Sequence, residues 1–306
     1  MEPVIQVKDL QKYFHTPKGE LHAVDGVSFG IGEGRTMGVV GESGCGKSTL
    51  GRTMIHLLES TGGKIYFQGE DVTTVNKRKL RQLREKMQMI FQDPYSSLNP
   101  RYTVATTIKE PLILSKRFTS EQVRIEAERI MDMVGIESRL RNAYPHELDG
   151  GRRQRVGIGR ALALSPKFVV CDEPVSALDV SIQAQVLNLL MDLQEQQKLT
   201  YMFVTHDLSV VRHISDDICV MYLGQLVETS PSKELFEKPL HPYTKALLSA
   251  VPNPNPYLER GKKLLVYDPS VHDYRTDKPQ WVEILPGHFI YGNERELDGY
   301  RKELKL

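Results

Sequence analysis

The feature that most restricts this chain is GESGCGKST, Gly41 to Thr49, set between a compact apolar run, TMGVV, and a stretch in which Leu50, Met54, Ile55 and Leu58 recur at helical spacing. A strand that ends in a glycine loop and runs straight into a helix gathers backbone N–H groups and the positive end of the helix at one point, where a phosphate chain is held. Glycine is required because the backbone must pass close to the anion. At ordinary amino-acid usage G-x-x-x-x-G-K-[ST] arises by chance in about one chain in a hundred of this length, and the flanking strand and helix make coincidence rarer. Gly41, Glu42, Ser43, Gly44, Cys45, Gly46, Lys47, Ser48 and Thr49 are therefore read as the nucleotide loop. Lys47 offers a cation to the β- and γ-phosphates, and the Ser48 hydroxyl is placed to ligate Mg²⁺. The side chain of Cys45 is given no metal role, since its neighbours supply no second ligand.

Short strands are expected from Val4 to Leu10 and Val24 to Ile31, separated by a turn over HTPKGEL, as an N-terminal antiparallel piece. MQMIF, FVVC, YMFV and the run from Ile218 to Tyr222 read as buried strands alternating with helices, the pattern of a parallel α/β sheet. Between about 101 and 164 strand patterns vanish and helical ones take over, as in Ser120 to Val134, so an inserted helical subdomain is expected there. FVVCDEP places Asp172 and Glu173 at the end of a buried run, where a parallel sheet presents its crevice. Such a pair alone is often a helix cap or surface pair. Beside a phosphate loop, Asp172 suits the Mg²⁺ shell and Glu173 a base that polarises water.

Forty Lys plus Arg against 39 Asp plus Glu leave a formal net charge of +1, so nothing draws the whole chain to nucleic acid or an anionic surface. The basic run NKRKLRQLREK carries Leu80 and Leu83 on one stripe and reads as a solvated helix face. The longest apolar stretch, Ile218 to Leu223, falls far short of the ~20 residues of a membrane span, and the charged start MEPVIQVKD does not read as a signal peptide. A chain that stays in the cytosol is expected. Its three cysteines lack metal or disulfide spacing, which fits free thiols. The absence of N-K-x-D argues against a guanine-specific hydrolase.

IFQDP with Gln92, LDGGRRQRVGIGRAL, SALD with Asp179, and FVTHD with His206 occur around the glycine loop and CDEP in an order that resembles ATP-binding cassette (ABC) ATPases from Val4 to about Ser230. The resemblance implies an α/β P-loop NTPase, a RecA-like mixed sheet with an N-terminal antiparallel β-subdomain and the inserted α-helical subdomain. It implies Glu173, His206 and Gln92 as the catalytic set, with His206 contacting the γ-phosphate and Gln92 sensing Mg²⁺ and water. Asp149, Gly150 and Gly151 would be presented to a nucleotide on a partner ATPase subunit, with Asp179 coupling the two sites. Phe14 or its neighbour Tyr13 takes the place of the aromatic residue that stacks on adenine, and the choice between the rings stays open.

DPYSSLNPR, YPHEL and HPYTKALLSAVP are similar to the ATPase subunits of oligopeptide and dipeptide importers. That implies two permease subunits contacted through the Q-loop and the helical insert, and an extracytoplasmic binding protein reached indirectly, with this chain peripheral on the cytoplasmic face of the membrane. Nickel chelates or oligosaccharides are the alternative cargoes, and a weakly hydrolysing regulatory subunit is the alternative role. Glu173 and His206 oppose the latter. A cassette acting on nucleic acid or ribosomes is opposed by the near-zero charge and by a single cassette without a coiled-coil insertion. The expected division is an ATPase domain over 1–251 and a proline-rich linker (PNPNP) with a small extension over 252–306, in which 262–306 has no assigned job and packing against the partner subunit is the plain reading.

Two departures stand out. The signature serine of the family is Asp149 here, and an ionised carboxylate ~4 Å from a γ-phosphate is repelled by several kcal/mol at an effective dielectric near 20. Arg152 and Arg153 could offset this, or Asp149 could turn away. The expectation is a heterodimer with one strong and one weak hydrolytic site, a homodimer being the alternative. The tail has no cysteine after Cys219, so no iron–sulfur cluster is expected.

Overall fold

A computed structural model describes residues 2–17, 19–252 and 262–305. Two long strands, β1 (Ile5–Thr16) and β2 (Gly19–Ile31), open the chain as an antiparallel hairpin. The ladder continues through Tyr13/His22, Phe14/Leu21, His15/Glu20 and Thr16/Gly19, so most of HTPKGEL is strand rather than turn. These polar residues extend the ladder because the distal hairpin stands in solvent and needs no apolar face. β4 (Gly62–Phe67) and β5 (Glu70–Asp71), which the sequence reading did not anticipate, complete a four-stranded sheet in the order β2-β1-β4-β5.

The second sheet is the scaffold of the molecule. β3 (Thr36–Val40), β6 (Met87–Ile90), β7 (Phe168–Asp172), β8 (Thr200–Val204) and β9 (Asp217–Tyr222) lie parallel in the order β9-β3-β8-β7-β6. Every residue of β3, β7 and β8 is buried, as expected of strands covered on both faces, which read as continuous apolar runs. Alternation shows within them: Val169 and Cys171 join one core, Phe168 and Val170 the other. Truncating Phe168 to alanine would cost about 3–5 kcal/mol.

One core is closed by the β-subdomain and α1 (Lys47–Met54). This helix stops at Met54, short of Leu58, where His56 takes a left-handed φ of 58°. α2 (Lys77–Lys86) holds the basic run; Asn76 caps it, Leu83 is buried and the cations face outward. The other core is closed by α4 (Val104–Ser115), α5 (Ser120–Met133) and α6 (Gly150–Leu162), preceded by the single turn α3 (Pro94–Ser97). α5 begins with a capping box between Thr119 and Gln122, and buries Val123, Ala127, Ile130 and Met131 at helical spacing. α7 (Val180–Gln197) and α8 (Leu208–Ile214) cover the same face.

β10 (Gln225–Pro231) returns antiparallel to β9 and leads into α9 (Ser232–Glu237) and α10 (Pro242–Ala250). Most of the proline-rich PNPNP stretch lies outside the described residues. Beyond it, β11 (Gln280–Leu285) and β12 (His288–Gly292) form a hairpin that pairs onto β10 through Glu228/Ile290 and Thr229/Phe289, followed by α11 (Glu294–Glu303). The tail is thus part of the main sheet of its own chain. A carboxyl clamp joins it: Glu228, fully buried, accepts from His288 Nε2 at 2.8 Å, from Leu240 N at 2.9 Å and from His241 N at 3.0 Å.

Candidate active site

Four segments singled out in the sequence leave the carboxyl ends of four neighbouring parallel strands: the glycine loop after β3, Gln92 after β6, Asp172 and Glu173 at β7, and His206 after β8. Strand order alone brings them to one crevice.

The loop is cut to the space around it. Gly41 and Gly46 have φ of 152° and 109°, and a Cβ would stand 2.1 Å from the Met221 carbonyl oxygen at the first and 1.9 Å from that of Ala23 at the second. Only glycine fits. Gly224 N donates to Cys45 O at 2.9 Å, tying the loop to the β9–β10 turn. The Cys45 side chain is buried, its thiol pKa pushed up by burial against the partial opposition of Lys47, so it packs inward while Glu42, Ser43 and Gly44 stay exposed. Lys47 is itself buried, its Nζ donating to Gly41 O and Glu42 O at 2.8 Å each.

Ser48, at the start of α1, donates its hydroxyl to Asp172 Oδ1 at 2.6 Å. One turn further along the helix, Arg52 Nη2 donates to the other oxygen at 3.2 Å. The sequence reading missed Arg52, although its i+4 spacing from Ser48 was available. Asp172 is only 1% exposed, so both oxygens need such partners. The Ser48 hydroxyl and the Asp172 carboxylate are hard oxygen donors brought together, the chemistry that divalent cations such as Mg²⁺ take.

Glu173 sits at φ 47°, a left-handed conformation costly for a residue with a Cβ. The fold holds it there: its N–H donates to Val204 O at 2.9 Å, and its carbonyl accepts from Ser176 N at 3.3 Å and Ser176 Oγ at 3.1 Å. The carboxylate accepts from Gln92 Nε2 at 2.8 Å and stands 3.4 Å from His206 Nδ1. The His206 ring is 59% exposed, open to a ligand in the crevice.

Asp149, Gly150, Gly151 and Asp179 form a separate group at the starts of α6 and α7, and among the described residues no hydrogen bond or ion pair joins them to the glycine loop. A Cβ on Gly150 would meet Leu178 at 3.1 Å and one on Gly151 would meet Ile182 at 2.6 Å, so the two glycines let the segments nest. Asp149 is turned into its own helix: Oδ1 accepts from Arg152 N at 2.8 Å and Oδ2 from Arg152 Nη1 at 2.6 Å. Burial raises its pKa, but these bonds and the Arg152 charge outweigh burial and lower it, keeping the carboxylate ionised. Only the backbone of Arg153 bonds Asp149, its N–H donating to the Asp149 carbonyl at 3.0 Å; its side chain donates to Pro145 O at 2.6 Å and lies over the Tyr95 ring. Asp179 stands at the N-cap of α7 with an exposed side chain that makes no capping bond.

Tyr13 and Phe14 differ in engagement. Tyr13 donates its hydroxyl to Asp25 and stacks on His22 at 3.9 Å, whereas Phe14 is half-buried with Lys12 Nζ 4.9 Å from its ring centroid. Among the described residues there is no group of three or more His, Cys, Asp or Glu side chains that could hold a metal ion, and no helix long and apolar enough to cross a membrane.

Residues 24–176 match the ABC transporter family, and residues 227–278 match the oligopeptide/dipeptide transporter C-terminal region. The oligopeptide transport ATP-binding protein OppF of Bacillus subtilis is 51% identical over 302 residues, 98% of this chain and 99% of its own. The oligopeptide transport ATP-binding protein AmiF of Streptococcus pneumoniae is 50% identical over 305 residues, 99% of each chain. Among solved structures, an ATP-binding cassette dimer in a post-hydrolysis state with ADP and phosphate superposes with a TM-score of 0.68 at 29% identity, covering 74% of this chain and 98% of that one. cbiO1 of Clostridium perfringens, part of an ABC transporter complex, gives 0.70 at 26% identity, covering 78% and 92%.

Proposed function

The chain belongs to the ABC transporter family of ATPases, and from that premise we propose that it is the ATP-hydrolysing subunit of a membrane importer of oligopeptides. The observation that carries this reading is the meeting of Lys47, Ser48, Asp172, Gln92, Glu173 and His206 at the ends of adjacent strands. The ATP phosphates would lie in the loop against the N-terminus of α1, with the Lys47 ammonium held toward them by the Gly41 and Glu42 carbonyls and exchanging its long contact to Cys45 Sγ for phosphate oxygens. Ser48, Asp172 and Gln92 would hold Mg²⁺, which when bound neutralises charge on the β- and γ-phosphates. Glu173, aimed by Gln92 and His206, takes the proton of the water that attacks the γ-phosphorus as the bond to the ADP oxygen breaks. His206 steadies the γ-phosphate, and Phe14 rather than the already engaged Tyr13 stacks on adenine.

The separation of Asp149, Gly150 and Gly151 from the loop supports a site completed by a second ATPase subunit. Because Asp149 is an ionised acceptor where a hydroxyl donor is usual, we read that subunit as a different chain. A groove of about 670 Å³ beside Gln92, lined by Arg52, Met89, Phe91, Pro111 and Arg160, suits a permease segment, which would seat the protein on the cytoplasmic face of the membrane. An extracytoplasmic binding protein would deliver peptide to the permease. Nucleic acid and an iron–sulfur cluster have no part in this reading, since the net charge is +1 and no cysteine follows Cys219.

Glu173→Gln tests the reading. Hydrolysis by the assembled transporter should fall at least about 100-fold, with Mg-ATP still bound, and light scattering should show the isolated variant as an ATP-bound monomer. Retained hydrolysis would overturn the role of Glu173, and an ATP-dependent homodimer would overturn the heterodimer.

A further inference from the structure

HPYTKALLSA, noted in the sequence but given no part in hydrolysis, reaches the nucleotide loop. Tyr243, the second residue of α10, is 1% exposed, and its hydroxyl accepts a hydrogen bond of 3.0 Å from Glu42 N. That N–H belongs to the same peptide group as the Gly41 carbonyl, which accepts from Lys47 Nζ at 2.8 Å. One amide plane is therefore gripped at both ends, by the Tyr243 hydroxyl on its N–H and by the Lys47 ammonium on its oxygen. Hydrogen bonds coupled through a peptide group polarise and reinforce one another. Since the N–H is bonded to the hydroxyl of a buried side chain, the bond can persist when phosphate enters.

Tyr243 is held by its surroundings. Its ring packs against Tyr222 of β9 and Tyr267 of the tail, with centroids 4.6 and 5.2 Å away. Its own N–H donates to His241 Nδ1 at 3.1 Å, and His241 N is fastened to Glu228 at 3.0 Å. Burial keeps the phenol protonated, so the group is a neutral hydroxyl.

We infer that Tyr243 is a positioning residue for the nucleotide loop: its hydroxyl orients the Gly41–Glu42 peptide, and with it Lys47, for phosphate binding. This rests on the reading of Gly41 to Thr49 as the ATP loop. In Tyr243→Phe the ring stays and only the hydroxyl is lost, so the peptide is free to turn and binding must restore its orientation. The net worth of one hydrogen bond corresponds to about 2- to 13-fold at 25 °C. Affinity for a fluorescent ATP analogue, with and without Mg²⁺, is expected to fall within that range, and KM to rise in parallel while kcat holds. Tyr267→Phe removes a hydroxyl from the adjoining ring and should leave affinity unchanged. Wild-type protein that fails to bind the analogue would overturn the loop assignment itself. Wild-type binding with unaltered affinity in Tyr243→Phe, or an equal loss in Tyr267→Phe, would overturn the positioning role alone.

Discussion

Replacing Glu228 by alanine removes the acceptor for three buried donors at once: Leu240 N, His241 N and His288 Nε2, at 2.9, 3.0 and 2.8 Å. Glu228 and His288 are both fully buried, so water cannot take over without opening the structure. An orphaned buried donor costs about 1–3 kcal/mol, and removing one partner of a buried ion pair, such as Glu228 with His288, costs about 3–5 kcal/mol. A loss of about 4 kcal/mol is expected. At roughly 2–4 °C per kcal/mol for a domain of this order, thermal unfolding should begin about 8–16 °C lower. Glu228→Gln keeps one acceptor oxygen but sets an amide N–H against a donor, so it should lose about half as much. Hydrogen exchange should quicken at Leu240 and His241 before it does in β7. A shift under about 2 °C for the alanine variant, or unchanged exchange at those two amides, would refute the assignment of Glu228 as the clamp.

Two further predictions follow from named groups. The pKa of His241 is pushed down to about 3, first by burial and then by the charges of His272 and Lys245. The unfolded chain therefore binds the extra proton between about pH 6.5 and 3, so stability is full above about 6.5 and falls as pH drops, by at most about 1.4 kcal/mol per unit. Protonating Nδ1 also destroys the cap acceptor of α10; His241→Asn should give a flatter melting temperature between pH 6.5 and 5, and an equally steep one would contradict this. Asp149→Ser keeps an N-cap for α6 and removes a carboxylate from the signature, so ATP hydrolysis by the assembled transporter should rise toward the rate of two equal sites. An unchanged rate and nucleotide occupancy would sink the weak-site reading.

The crevice was legible because its parts carry local signals. A glycine loop between strand and helix announces itself within about twenty residues, and Asp172 and Glu173 follow an apolar run that can only be a buried strand. The outer strands were not legible for the opposite reason. β11 has no fully buried residue and no in–out alternation to read, and becomes a strand only through pairing with β12, which pairs onto β10 more than fifty residues earlier. The end of the β1–β2 hairpin hid behind polar residues for the same cause: a ladder in solvent leaves no hydrophobic mark. Tyr243 lies 201 residues from Glu42, beyond any spacing rule.

The way the tail joins the sheet also bears on the solubility of shorter forms of this protein. Without β12, the backbone of β10 around Glu228 and Thr229 would lose its partner, and Ile290, now fully buried, would no longer cover it. A bare run of N–H and C=O groups on a strand that is otherwise buried is a template for a neighbouring chain. A cassette cut at the end of α10 would therefore tend to join other copies edge to edge, and the hairpin acts as a built-in guard against that self-association.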